Sequence, residues 1–195
     1  MKPEAMLEIL NVAEKLKCQT RHSDTSSGRR ESVAEHSWRL ALMAMLCEDE
    51  FPEADINKVI RMCLIHDLGE AFTGDNPPFL KKTENEEDER IILRNWVQSF
   101  PEPFNREFLI LLDEMDARES PEAKIYKALD NLEAVIQHNE ADISTWLPLE
   151  YNLQLTYGSD KVGFSPWMQQ LKAAIDVQTK VKIRKEENRG NLGSV

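Results

Sequence analysis

The stretch from Asp55 to Glu70, DINKVIRMCLIHDLGE, decides the fold class, because its apolar side chains recur three and four residues apart. The apolar positions are Ile56, Val59, Ile60, Cys63 and Leu64. This spacing predicts a helix that turns one face into a hydrophobic core. The same stretch ends on an imidazole and two carboxylates, which a purely structural core helix does not need.

Similar apolar periodicity on both sides of this stretch predicts further helices. The chain has only 7 Gly and few alternating β-branched segments. We therefore expect an all-α, compact fold of six or more helices. The other predicted helices lie at about 3–17, 33–50, 83 onward, 102–115, 121–137 and 165–182.

Several local signals set the predicted ends of these helices. Ser32 followed by Glu35 is typical of a capping box, and Gly69 stands where a C-terminal cap glycine is expected. The segment RHSDTSSGRR, 21–30, is rich in Ser, Asp and Gly and is predicted to be an irregular loop, as is GDNPPF, 74–79. The acidic run TENEEDER, 83–90, is predicted to be a solvated helix face.

Length and composition place limits on the function. A chain of 195 residues with 41% hydrophobic content predicts one domain, here 1–183, followed by a mobile tail, 184–195. The formal charge of −11 argues against binding to a nucleic acid polymer or an anionic membrane. The cysteines lack zinc spacing and are predicted to be small buried hydrophobes: Cys18, Cys47 and Cys63. Without a signal region or a bilayer-length apolar run, we expect a cytoplasmic protein.

The ionisable end of the opening stretch has two interpretations. His66 continues the stripe of Val59 and Cys63, so it can be an ordinary hydrogen-bonded core histidine. However, Asp67 and Glu70 add two potential anions beside a core, and burying such charges unpaired costs several kcal/mol each. A divalent cation would supply the counter-charge. Imidazole and carboxylate ligands suit manganese, cobalt, iron, nickel or zinc and, less well, magnesium.

Further ligands must come from elsewhere in the chain. His36, in the first turn of the predicted second helix, is one candidate, with a surface histidine near a cap as its alternative. Asp130 in KALDNLEA is another. The helical wheel places Asp130 off the apolar stripe of its helix, so it can point inward only if that helix is covered on two sides.

The pattern His36, His66-Asp67 and Asp130 resembles the H…HD…D signature of HD-domain metal-dependent phosphohydrolases. The segments ESVAEHSWRLALMA, 31–44, and LIHDLGEAFTGD, 64–75, are similar to the 5'-deoxynucleotidase branch of that superfamily, as is SPEAKIYKALDNLEA, 120–134. The resemblance covers roughly 10–175. It implies an all-α HD-domain fold with a divalent metal held by these four residues, and it suggests a homodimer.

The resemblance also implies roles for residues around the metal. Positions that match Glu70 and Asp75 lie in the active site of that branch, and the position that matches Arg21 contacts the substrate phosphate. Glu70 has the chemistry to orient a water or handle its proton. Arg21 offers a forked donor to phosphate oxygens, with Arg29 and Arg30 as possible helpers.

One position departs from the bacterial members of the branch. A Trp that helps form their deoxyribose pocket is replaced here by His22. His22 is therefore a candidate substrate contact, with an exposed loop residue as the alternative. The sequence leaves the sugar and base preferences open.

The resemblance implies hydrolysis of (deoxy)nucleoside 5'-monophosphates to nucleoside and phosphate. One alternative keeps the metal site and changes the substrate to another phosphate ester, such as a cyclic nucleotide or a nucleotide-like metabolite. Another is a non-catalytic, metal-stabilised protein that binds a nucleotide or a protein partner. The last is an ordinary helical domain whose His and Asp residues are unrelated.

Overall fold

A computed structural model describes residues 1–75 and 83–192, and of 83–86 and 189–192 the backbone alone. In this part of the chain helices dominate, as predicted, and a two-stranded sheet accompanies them. The helices are α1 Pro3–Ala13, α2 Val33–Leu46, α3 Ile56–Ile65, α4 Glu70–Thr73, α5 Thr83–Gln98, α6 Phe104–Ala117, α7 Pro121–Glu140, α8 Glu150–Thr156 and α9 Pro166–Leu192. The strands are β1 Thr20–Asp24 and β2 Arg30–Ser32.

The described residues divide into two compact units. The first comprises Met1–His22 and the described part of Glu31–Tyr126, and the second comprises Ser23–Arg30 and the described residues from Lys127 onward. The core of the first unit includes Leu40 and Ala44 of α2 with Val59, Met62 and Cys63 of α3, all essentially inaccessible to solvent. The predicted apolar stripe of α3 is therefore confirmed at Ile56, Val59 and Cys63, whereas Leu64, which was assigned to it, is 49% exposed.

A smaller apolar cluster in the first unit surrounds the start of α2. Leu16, Val33 and Ala71 form its buried part, and the partly buried members Val12, Ala34 and Leu68 pack against them. Because Val33 begins α2 and Ala71 lies in α4, this cluster ties the start of α2 to the short helix that follows α3.

The segment 21–30 is not the irregular loop that its composition predicted. It forms most of a β-hairpin made of β1 and β2. The turn closes because Thr25 N donates to Arg29 O at 2.7 Å and Gly28 N donates to Thr25 O at 3.0 Å. Gly28 has a φ of +82°, a left-handed conformation that glycine adopts without strain. The Ser, Asp and Gly residues favour the turn of this hairpin. The strands on either side pair through backbone hydrogen bonds, which do not require apolar side chains.

The prediction for Gly69 was also wrong. Gly69 has φ −62° and ψ −33°, which is right-handed helical geometry, so it does not cap α3 in a left-handed conformation. Its lack of a side chain matters for a steric reason. A Cβ at Gly69 would lie 2.8 Å from Glu89 Cγ and 3.3 Å from Glu89 O, so glycine permits the close approach of α5.

Several apolar side chains of the first two helices are exposed. On α1 they are Met6, Leu7 and Leu10, and on α2 they are Trp38, Leu42, Met45 and Leu46. Helix α2 is consequently buried on one side only. Cys47 and Cys63 are buried as predicted, whereas Cys18 is exposed, and all three are free thiols.

The second unit is built largely on α7 and α9. Leu129, Leu132 and Val135 of α7 and Met168 and Ile175 of α9 are buried. Helix α9 continues to Leu192, well beyond its predicted end at about Lys182. Much of the predicted tail is thus helical, and 193–195 lie outside the described residues, as does 76–79 of the predicted loop. Among the described helices, none combines the length and the hydropathy needed to cross a membrane.

Replacing Gly69 with Ala should lower the free energy of unfolding by about 1–3 kcal/mol, because Glu89 and the backbone of α5 must move to admit the methyl group. Urea unfolding followed by circular dichroism measures this change. Gly163→Ala is the matched control, since a Cβ there meets no atom within 4 Å. Equal losses in the two variants would contradict the steric explanation.

Candidate metal centre

The start of α2 places His36 inside the first unit. The predicted capping box is present: Glu35 N donates to Ser32 Oγ at 3.2 Å, and Ser32 N donates to Glu35 Oε2 at 2.8 Å. These bonds pair the backbone N–H groups of Ser32 and Glu35, which would otherwise lack partners at the start of the helix, and they fix the direction in which the helix enters the core. His36 follows directly and is fully buried, so the alternative of a surface histidine is wrong.

The end of α3 presents two adjacent ionisable side chains. His66 is the C-terminal cap residue of α3, and Asp67 follows it. His66 Nδ1 lies 2.8 Å from Cys63 O. A carbonyl can only accept, so Nδ1 carries the proton and Nε2 is the ring nitrogen that could bind a cation. The ring also meets the ring of Tyr126 edge-on at 5.7 Å between centroids.

Three potential ligand atoms converge where the start of α2 meets the end of α3. His66 Nε2 lies 3.3 Å from His36 Nε2 and 3.0 Å from Asp67 Oδ2, and His36 Nε2 lies 3.9 Å from Asp67 Oδ2. Both imidazoles are almost fully buried, and the Asp67 side chain is 16% exposed. The structure thus brings together three of the four predicted metal ligands.

These residues fit a divalent cation. Ligand atoms about 2.1 Å from a cation lie about 3.0–3.4 Å from one another in tetrahedral or octahedral geometry. Two of the three observed separations fall in this range, and the one between His36 and Asp67 is longer at 3.9 Å. The Nε2 lone pair of His66 faces a carboxylate oxygen, and two such acceptors repel unless a proton or a cation lies between them. Two imidazoles and a carboxylate form a donor set that transition metals accept.

The buried carboxyl of Glu70 is a second observation that fits a cation at this site. It is the first residue of α4 and is only 3% exposed. Its Oε2 atom has no hydrogen-bond partner among the described residues. Burial raises the pKa of Glu70 to about 10, and the negative charges of Asp67, Asp75 and Glu89 contribute, while Arg21 opposes them. Such a carboxyl is suited to receive a proton or to hold a water beside a cation.

Two further acids lie near Glu70. Asp75 is half-buried, and its negative charge contributes to the raised pKa of Glu70. Glu89 was predicted to belong to a solvated acidic face, but it is half-buried against Gly69. The sequence signal for Glu89 was weak, because nothing in an acidic run indicates which member turns inward.

Arg21 is the positive group beside this acidic cluster. Its Nε lies 3.3 Å from Glu31 Oε2 and its Nη1 lies 3.6 Å from Asp67 Oδ2. Glu31 is 2% exposed and was not among the predicted site residues. Only recognition of the β-hairpin, which sets β1 beside β2, could have indicated that these two side chains meet.

The remaining predicted residues lie outside this cluster or in the second unit. Asp130 belongs to the second unit, where it accepts from Lys127 Nζ at 2.7 Å, and its role as fourth ligand stays a prediction. His22 is half-buried in β1 rather than in an irregular loop. Arg29 and Arg30 are exposed, and Arg30 Nε lies 3.5 Å from Asp24 Oδ1.

A model of the HD-domain family matches residues 13–172, which is most of the chain. The chain therefore belongs to the HD-domain family, as the helices and the paired His66 and Asp67 indicate. The fold agrees with a crystal structure of a predicted metal-dependent phosphohydrolase from Magnetospirillum magnetotacticum MS-1. That structure is 28% identical, has a TM-score of 0.78, and is aligned over 94% of this chain and 93% of its own.

Curated relatives are more similar in sequence over shorter regions. The chain is 34% identical to the 5'-deoxynucleotidase HDDC2 of Homo sapiens over 57% of its own length and 55% of the relative's. It thus spans about half the length of that relative. The 5'-deoxynucleotidase HDDC2 of Dictyostelium discoideum is 31% identical over 69% of this chain and 76% of its own.

Glu70 should make the stability of the cation-free protein depend on pH. Above its ordinary pKa of 4.5 the unfolded chain releases a proton that the folded chain keeps until about pH 10. The free energy of unfolding therefore falls as pH rises between these values. A glutamine at this position cannot titrate, so the free energy of unfolding of Glu70→Gln does not fall in this way. The difference between this variant and wild type should therefore grow in favour of the variant from about pH 5 to pH 8. Urea unfolding in the presence of a chelator measures the difference.

Glu122→Gln is the control for this pH dependence. Burial alone would raise the pKa of Glu122, but the hydrogen bonds from Asp55 N and Lys58 hold it below its usual value. The stability that the Glu122 carboxylate contributes is fully present above pH 4.5 and is lost only as the pH falls below that value. The difference between this variant and wild type should therefore stay constant from about pH 5 to pH 8. If the stability difference between Glu70→Gln and wild type were equally independent of pH, Glu70 would not be a buried, protonated carboxyl in the folded protein.

Proposed function

We propose that this protein is a metal-dependent phosphomonoesterase that hydrolyses (deoxy)nucleoside 5'-monophosphates to nucleoside and phosphate. The observation that carries the proposal is the convergence of His36 Nε2, His66 Nε2 and Asp67 Oδ2 near the buried carboxyl of Glu70. Membership of the HD-domain family and the names of the curated relatives support the same reaction class.

The proposed metal ligands are His36, His66, Asp67 and Asp130. The mutual closeness of one potential ligand atom from each of the first three supports their role, and Asp130 follows from the resemblance. The mixed nitrogen and oxygen donors suit manganese, cobalt, iron, nickel or zinc, and magnesium less well. When bound, such a cation lowers the pKa of a water and neutralises charge on phosphoryl oxygens.

Glu70 is proposed to orient the attacking water and to take its proton. Its Oε2 atom is buried and unpartnered among the described residues, so it is available to hold a water. Burial and the neighbouring anions raise its pKa and keep it protonated in the cation-free protein, and the charge of a bound cation would lower this pKa so that the carboxylate could accept the proton. Asp75 is proposed to position the water or the sugar.

Arg21 is proposed to bind the substrate phosphate. Its guanidinium stays charged at all relevant pH values, and its fork matches two phosphate oxygens. The half-buried site excludes part of the solvent, which strengthens this contact. His22 is proposed to contact the sugar, and Arg29 and Arg30 remain possible helpers from the hairpin.

We also infer that 1–183 acts as one functional domain and that the active form is a homodimer. The resemblance supports the dimer, and the exposed apolar side chains of α1 and α2 offer it an apolar surface. A cytoplasmic location likewise stays a prediction from the sequence. Sedimentation and localisation measurements address these points.

Replacing a proposed ligand should remove the cation. His36→Ala, His66→Ala and Asp130→Ala should each weaken binding of manganese or cobalt by at least about tenfold, because each removes one donor atom. Titration calorimetry and metal analysis of purified protein measure this. His138→Ala is the control, because its imidazole pairs with Glu150 at 3.0 Å within the second unit. Wild-type affinity in His66→Ala would contradict the site.

Phosphate release from a panel of ribo- and deoxyribonucleoside 5'-monophosphates tests the proposed reaction. The cation-loaded wild type should release phosphate, and Glu70→Gln should keep its cation and lose about 10²–10⁴-fold in turnover, the usual contribution of a general base. Glu122→Gln, which removes another buried carboxylate of the first unit, should stay near wild type.

Two outcomes would contradict this proposal. One is a wild type that binds the cation and releases no phosphate from any monophosphate. The other is full turnover by Glu70→Gln. Release only from cyclic nucleotides or other esters would keep the metal site and replace the substrate class.

A further inference from the structure

Glu31 is a buried carboxylate that lies beside the proposed metal ligand His36, with an oxygen within 4.8 Å of a ring nitrogen. It lies in β2, is 2% exposed, and its Oε2 is 3.3 Å from Nε of Arg21. The Arg21 side chain is itself only 16% exposed. A charge buried to this extent needs an opposite charge nearby, and the two side chains of the hairpin supply each other's.

The two sides of the Arg21 guanidinium have different neighbours. The Nε atom faces Glu31, whereas Nη1 lies 3.6 Å from Asp67 Oδ2. Both distances are those of ion pairs, and the pair with Glu31 is the shorter. The Nε end of the guanidinium is thus held near Glu31, and the Nη1 end is near the proposed metal ligand.

This anchoring has a chemical consequence for the site. Without Glu31, Asp67 would be the nearer of the two acids described above to the buried guanidinium. A closer ion pair between Arg21 and Asp67 would then occupy Asp67 Oδ2, the oxygen that faces both imidazoles. With Glu31 in place, the shorter of the two ion-pair distances described above joins Arg21 to Glu31, so Glu31 competes with Asp67 for the guanidinium. The terminal nitrogens can then meet an anion that arrives at the cation.

We infer that Glu31 is a positioning residue that orients Arg21 for contact with the phosphate group of the substrate. This inference rests on the proposed function and adds to it a determinant of phosphate affinity. Glu31 acts through Arg21 and touches neither substrate nor cation in this assignment.

Binding of inorganic phosphate to the manganese-loaded protein tests the inference by titration calorimetry. Glu31→Gln should weaken phosphate binding by about tenfold, the usual cost of removing a supporting partner. Glu31→Asp keeps the charge with a shorter reach and should lose less. In steady-state assays Glu31→Gln should raise KM more than it lowers kcat, because the contact exists before the reaction begins.

A double-mutant cycle separates positioning from a general structural effect. Arg21→Gln should weaken phosphate binding, and adding Glu31→Gln to it should cause no further loss, because Glu31 then has nothing to orient. The double variant leaves two neutral amides, so neither partner is a lone buried charge. Glu122→Gln is the control for the loss of a buried, paired carboxylate and should leave phosphate affinity unchanged.

Phosphate affinity at the wild-type level in Glu31→Gln, or losses that multiply in the double variant, would overturn the inference. The binding assay needs no turnover, so it also separates this inference from the proposed reaction. A wild type that binds phosphate through Arg21 and Glu31 but hydrolyses no nucleotide would disprove the reaction alone.

Discussion

Burial of ionisable side chains at the carboxyl end of α3 is the constraint on which the first unit depends. His66 and Asp67 follow directly on a helix whose core-facing side is inaccessible to solvent, and Glu70 begins the next turn almost fully buried. Hydrophobic packing of Val59 and Cys63 brings these groups inside. Leaving the acids there without a counter-charge would cost several kcal/mol each. The packing and the charges are compatible only if positive charge is supplied beside them.

The geometry of α2 and α3 determines where that charge must lie. The start of α2 meets the end of α3, since the Nε2 atoms of His36 and His66 are 3.3 Å apart. The two helices are therefore antiparallel. The capping box of Ser32 and Glu35 sets the first turn of α2, and the cluster around Val33 and Ala71 holds that turn near α4. Local capping and a few apolar contacts thus define the position of a polar site.

Much of this arrangement was predictable from the sequence, because it rests on local signals. The capping box and the apolar stripe of α3 are short-range patterns, and the first was confirmed in full and the second at all its fully buried positions, with Leu64 as the exception. The roles of the site residues stay predictions. Glu31 was missed, because its contact with Arg21 depends on a hairpin whose strands carry Ser, Asp and Arg.

Gly69 and the apolar surface residues show a second limit. Gly69 follows a helix as a cap glycine does, yet what requires glycine is Glu89, twenty positions away in α5. Leu7 and Met45 fit an apolar face by periodicity and are exposed, because periodicity identifies a face without showing what covers it. The need for glycine at position 69 and the exposure of Leu7 and Met45 both depend on which distant parts of the chain lie beside these residues.

The charges around the candidate site imply that cation and phosphate binding depend on each other. Arg21 carries one positive charge, and the carboxylates of Glu31 and Asp67 already lie within 4 Å of it. Asp75 and Glu89 add negative charge around Glu70. A phosphate group approaching these residues alone would meet net repulsion, on a chain whose total charge is −11. A divalent cation reverses the local sign, so it should strengthen phosphate binding, and phosphate should strengthen cation binding by the same factor. The acids that would make the empty site unfavourable are the same groups that would make the loaded site selective for an anion.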